Sequence, residues 1–115
     1  DGEITDALAP TGDDTYFTKY TYSCFAHTEL EEQLKAKGIR TVIVCGTCTN
    51  WCVDSTIRDA YHKDFNVVAL TDCISTFPHA GADAETWNKM EFDLWAEGFA
   101  RVMDSKQAEA EISKG

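Results

Sequence analysis

Val42-Ile43-Val44-Cys45-Gly46-Thr47-Cys48-Thr49-Asn50-Trp51-Cys52-Val53 is the stretch whose reading decides the fold. Three β-branched residues in succession favour an extended, fully buried strand. Small residues follow and make a turn, after which the chain enters a helix for which Asn50 is the expected N-cap. That junction gathers backbone N–H groups and the positive helix end around a thiol, Cys52, and both favour its thiolate.

The elements around the junction alternate. Residues 15–20 read as a short strand ending near Lys19. Thr28 and Glu31 form a capping box for a helix that carries Leu30 and Leu34 one turn apart and stops at Gly38. Residues 41–45 make the buried-type strand, and a helix over 50–63 puts Val53, Ile57, Ala60 and Tyr61 on one inner face. An apolar strand follows at 65–70, closed by Thr71-Asp72. A helix over 83–97 groups Trp87, Met90 and Leu94 on one side, residues 99–103 suggest a last short strand, and Ser105 is the expected cap of a terminal helix. Residues 1–15 read mainly as irregular lead-in.

Strict strand–helix alternation implies parallel strands joined by right-handed crossovers. The expected fold is therefore α/β, a doubly wound parallel sheet in a Rossmann-like three-layer sandwich. Ligands bind such sheets at the carboxyl ends of the strands, where the Cys45–Cys52 junction falls.

Composition narrows the partners. The 115 residues suit one domain, here 1–115, with 43% hydrophobic and 26% charged residues. Twenty acidic against ten basic residues give a net charge of −10, which argues against a phosphate-tracking surface and hence against nucleic acid. No apolar run approaches the ~20 residues that span a bilayer, and no basic-apolar leader opens the chain. A cytoplasmic protein with no membrane partner is expected, as a homo-oligomer.

Five cysteines, at 24, 45, 48, 52 and 73, cannot all pair within the chain. Cys45 and Cys73 lie beside strand-like runs and read as small core residues. Cys45-x-x-Cys48 has dithiol spacing, but a redox pair places its attacking cysteine at the helix start, and Cys45 belongs to the strand. Adding Cys52 gives C-x2-C-x3-C, a metal-like run with no paired fourth ligand among Cys24, Cys73, His27, His62 and His79. The nucleophile reading of Cys52 gains from Lys19, whose ammonium can reach the same sheet edge. Tyr20, Tyr22, Phe25 and Trp51 are candidates for a planar-substrate pocket, with ordinary packing open for each of them. Trp51 stands nearest the nucleophile.

These residues carry a family resemblance. The run Gly46-Thr47-Cys48-Thr49-Asn50-Trp51-Cys52-Val53-Asp54-Ser55-Thr56, continued by Arg58-Asp59-Ala60, resembles the G-x-x-T-N-x-C-V-x-S-T-x-R-D-A signature of the isochorismatase-like cysteine hydrolases. Lys19-Tyr20-Thr21-Tyr22-Ser23-Cys24-Phe25 resembles the K-x-x-Y-S-x-F segment of that family, and the Lys19-to-Cys52 interval of 52 − 19 = 33 positions is similar to that of its ureidoacrylate amidohydrolase branch.

The resemblance implies a Cys–Lys–Asp triad with Cys52 as nucleophile and Lys19 as supporting ammonium. It implies a cis peptide at Thr47–Cys48 and an oxyanion hole made by the N–H groups of Cys48 and Cys52. The implied reaction is hydrolysis of a small amide or ureido/carbamoyl substrate through a thioester, with no cofactor and no metal among these residues. Asp6, Asp13 and Asp14 sit too close to Lys19 to match the aspartate of the triad. The chain thus resembles the C-terminal portion of a longer hydrolase, its sheet incomplete at the N-terminal side. A noncatalytic paralogue serving in binding or assembly is the alternative.

Overall fold

The computed structural model describes residues 11–113. The lead-in expected over residues 1–15 therefore lies outside the described residues as far as residue 10. Along the chain run α1 (Leu30–Ala36), β1 (Thr41–Thr47), a π-helical turn (Thr49–Val53), α2 (Asp54–His62), β2 (Asn66–Ser75), α3 (Ala84–Gly98), β3 (Arg101–Met103) and α4 (Ser105–Ser113). The strands form one parallel sheet in the order β1-β2-β3.

Side-chain alternation along the strands builds two apolar layers. Val42 and Val44 of β1, Val67 and Ala69 of β2 and Val102 of β3 meet Leu30 and Leu34 of α1, Ile57 and Ala60 of α2, and Phe92 and Trp95 of α3. On the opposite face Val68, Leu70 and Met103 pack against Ala108 of α4. Helices thus cover both faces, and the architecture is the expected doubly wound α/β sandwich.

The α1 end follows its sequence. Gly38 takes φ +72, and Ile39 N–H reaches Leu34 O while Gly38 N–H reaches Lys35 O, both at 3.0 Å. This paired motif uses two orphan carbonyls and needs the left-handed residue that glycine supplies. The α1 start departs from the capping box. Thr28 Oγ1 accepts from Leu30 N–H at 3.3 Å, but Glu31 turns outward to Lys35 and Lys63, two cations that attract its carboxylate more than a neutral N–H does.

Other expectations need correction. Residues 15–20 form no strand, because no neighbouring strand among the described residues completes their hydrogen bonds. β2 continues past Leu70 to Ser75, and its register against β1 jumps from Val44↔Ala69 to Gly46↔Ile74. On α3 the side bearing Met90 and Leu94 stays exposed; Trp95 is the fully buried residue, since its indole N–H finds Asp54 Oδ1. Tyr61 is half exposed, unlike its buried helix-mates Ile57 and Ala60. Asp104, rather than Ser105, caps α4: its carboxylate accepts from Gln107 N–H, and Ser105 instead donates to Asp72. Cys45 and Cys73 are exposed rather than core residues, because both fall on the sheet face away from α2 and beyond the cover of α4.

Candidate active site

The site grows from the end of β1. Gly46 takes φ +129, the Thr47–Cys48 peptide is cis, and Cys48 is extended at φ −95, ψ 144. Val53 N–H then reaches Cys48 O at 3.1 Å, the wide i→i+5 closure of a π turn. Asn50 inside this turn has non-helical torsions of φ −98 and ψ 17. Asn50 is therefore not the N-cap; Cys48 occupies that position. The reason is visible in the amide of Asn50, which is committed elsewhere: Nδ2 lies 2.8 Å from His79 Nε2, and Oδ1 accepts from Thr76 Oγ1 at 3.3 Å. A second tether joins the buried Thr49, whose hydroxyl donates to Asn88 Oδ1 on α3.

Lys19 and Cys52, 33 positions apart, come together. Lys19 Nζ donates to Thr21 O at 3.0 Å and Tyr22 O at 3.2 Å, and lies 3.9 Å from Cys52 Sγ. The two carbonyls fix a positive charge beside the sulfur. Among the described residues these are the partners of Nζ, and none is a carboxylate. Lys19, Tyr20, Thr21, Tyr22 and Cys52 line one open depression.

The pocket candidates divide. Tyr20 is exposed at the rim of that depression. Trp51 is half exposed, with its ring 6.3 Å from Tyr22, 5.5 Å from Phe77 and 5.0 Å from His79. Phe25 does not line the pocket: it is buried in the core and stacked on Phe65 at 5.7 Å, where an all-carbon ring gains most from leaving water.

Sequence reasoning missed the groups that hold the turn from outside. Thr76, His79 and Asn88 are 26, 29 and 39 positions from their partners, and no local pattern announces such contacts. It also missed a polar cluster behind the nucleophile. Asp54 accepts from Arg58 Nε at 2.9 Å and from Trp95 Nε1 at 2.7 Å; the Asp54/Arg58 spacing of four was a readable signal. Glu91 of α3 joins them, its carboxyl pushed up to about 7 by burial first, then by the neighbouring Asp54 carboxylate, against the opposing pull of Arg58. Its Oε2 is buried without a partner among the described residues. Elsewhere, desolvation and the adjacent Asp72 carboxylate push the Cys73 thiol up.

The isochorismatase domain model matches residues 1–107. The chain belongs to the isochorismatase family. It is similar to ureidoacrylate amidohydrolase RutB of Acinetobacter baylyi, 33% identical over 115 residues covering 99% of this chain and 47% of the relative. It is also similar to nicotinamidase 3 of Arabidopsis thaliana, 39% identical over 82% of this chain and 44% of the relative. Among solved structures, a cysteine hydrolase from Pseudomonas syringae pv. phaseolicola is 34% identical, with a TM-score of 0.89 over 97% of this chain and 55% of that one. This isochorismatase-family chain thus spans less than half the length of those curated relatives.

Proposed function

We propose that this chain supplies the nucleophile half of a cysteine-dependent hydrolase that cleaves amide or ureido/carbamoyl C–N bonds. The observation that carries the reading is the Lys19 Nζ to Cys52 Sγ approach of 3.9 Å at the carboxyl end of β1. Cys52 Sγ attacks the carbonyl carbon, forming a C–S bond while the carbonyl oxygen takes up negative charge. The N–H groups of Cys48 and Cys52 hold that oxyanion. The C–N bond breaks, and the amine departs with the proton that the thiol gave up. Water then cleaves the thioester, giving the acid and regenerating the thiol.

Proton transfer to the amine needs an acid, which we assign to a carboxylate outside the described residues. No cofactor takes part. A ureido or carbamoyl substrate is favoured by likeness to ureidoacrylate amidohydrolase RutB, and a plain amide is the competitor suggested by nicotinamidase 3. Turnover of a matched panel of ureido compounds, nicotinamide and simple amides by wild type and Cys52→Ala tests both points. Loss of turnover by at least about 10³-fold in Cys52→Ala is expected; retention rejects the nucleophile. Cleavage of amides with no ureido turnover rejects the substrate preference.

The lack of a carboxylate among the described partners of Lys19 favours a second reading, a noncatalytic paralogue that binds or assembles. Binding of a ureido compound without turnover by the wild type would support it.

A further inference from the structure

We infer that His79 is a positioning residue for the nucleophile turn: it holds the side chain of Asn50, and with it the backbone that carries Trp51 and Cys52. This rests on the reading of Cys52 as nucleophile. The π turn departs from helical torsions at Asn50, in its middle. Besides its own backbone bonds and the Thr49–Asn88 tether, it is fixed by the β2–α3 loop.

The hydrogen-bond partners assign the roles on the imidazole. Nδ1 lies 2.6 Å from Phe77 O, and a carbonyl only accepts, so Nδ1 carries the hydrogen. Nε2 is then a lone-pair acceptor, and Asn50 Nδ2 donates to it at 2.8 Å. Asn50 Oδ1 meanwhile accepts from Thr76 Oγ1 of the same loop. Both ends of one amide are thereby tied to residues 76–79.

His79, itself partly buried, is held by several contacts. Its ring stacks on Trp87 at 5.2 Å with an interplanar angle of 12°, and lies 4.6 Å from Phe77 and 5.0 Å from Trp51. Trp87 Nε1 donates to His79 O at 2.8 Å. Its backbone exchanges two 3.1 Å hydrogen bonds with Ala82 across a tight turn in which Ala80 and Gly81 both take positive φ. A side chain so constrained transmits its position to whatever it grips. Removing the Nε2 acceptor frees one end of Asn50 and loosens the turn on which Cys52 faces Lys19.

The test reads Cys52 itself rather than turnover, so it does not depend on the acid that completes the reaction. Limiting iodoacetamide at neutral pH, with mass-spectrometric mapping of all five thiols, gives a rate for each. His79→Phe keeps an aromatic ring for the stack and removes both nitrogens; His79→Gln keeps a side-chain acceptor for Asn50. We expect His79→Phe to slow Cys52 by about tenfold, a modest share of what an ångström-scale misplacement can cost. The other four thiols should stay within about twofold, and His79→Gln should recover most of the loss. Asn50→Ala should match His79→Phe, and the double variant should add little, as for two residues in one network. Equal acceleration of all five thiols with a lowered Tm would mean that His79 merely supports the fold, overturning the inference. So would an unchanged Cys52 rate in His79→Phe. If wild-type Cys52 is no more reactive than the other thiols, the nucleophile reading falls and takes this inference with it.

Discussion

Trp95 Nε1 donates to Asp54 Oδ1 at 2.7 Å, joining α3 to the first residue of α2, two positions beyond Cys52. The indole is fully buried and the carboxylate already holds Arg58, so this bond ends in a charged acceptor with little water near it. Trp95→Phe removes the donor and leaves a small cavity. We expect a loss of about 2–4 kcal/mol in urea unfolding, combining a charged hydrogen bond with lost ring volume. A loss under about 0.5 kcal/mol would mean that the bond contributes nothing.

Glu91, packed against the same pair, makes stability depend on pH. Its carboxyl lies at about 7 in the fold against an ordinary 4.5, burial being the main cause. Below 4.5 both folded and unfolded chains hold the proton, so the group costs nothing. Between 4.5 and about 7 the unfolded chain releases it first, and stability falls through that window before levelling off. Glu91→Gln stays neutral throughout. The Tm of the wild type should therefore drop by several degrees more than that of Glu91→Gln between pH 5 and pH 7.5. Parallel curves for the two proteins would contradict the assignment.

Lys19 is tested by Lys19→Met, which keeps a long apolar stem and removes the charge. Iodoacetamide labelling of Cys52 should slow several-fold at neutral pH, and the difference from wild type should shrink in high salt as screening weakens the ammonium. Equal rates at low salt would show that the ammonium has no effect on the sulfur.

Exposure alone would rank Cys73 above the half-buried Cys52 in reactivity. Desolvation and the Asp72 carboxylate push the Cys73 thiol up, which lowers its thiolate fraction at neutral pH. We expect Cys52 to label before Cys73 in the folded protein, and Cys73→Ser to leave the Cys52 rate unchanged. Faster labelling of Cys73 would reverse this ranking.

Much of the sheet was legible because β-branched runs such as Val42-Ile43-Val44 and Val67-Val68 leave a chain few choices but a strand. The full burial expected of residues 41–45 does not hold, because β1 is an edge strand of the described sheet and Ile43 is exposed. Gly38 marked its helix end through chemistry confined to neighbouring residues. The helix expected over 83–97 begins one residue later, and Asp83 is its N-cap, accepting from Thr86 N–H. The pairing of Lys19 with Cys52 was readable through motif spacing. Thr76, His79 and Asn88 were not, because each acts through a contact decided by how β2 and α3 pack. Asn50 failed as a predicted cap for the same reason: local preference offered it the helix start, and long-range partners claimed its amide. Phe25 sits in a motif that suggested a pocket, yet the nearby Phe65 ring provides a drier place.

The register jump in β2 has a consequence for evolution and engineering of this chain. Val67 and Ala69 face the α2 layer at odd positions, whereas Ile74 faces it at an even one. The irregular stretch between them works as a phase inverter: without it Cys73 would enter the core and Ile74 would meet solvent. It also sets which way the strand hands Thr76 and His79 to Asn50. Straightening this stretch at constant length would bring Cys73 rather than Ile74 to the core face and turn the following loop away from the nucleophile turn, with every residue of the motif around Cys52 intact.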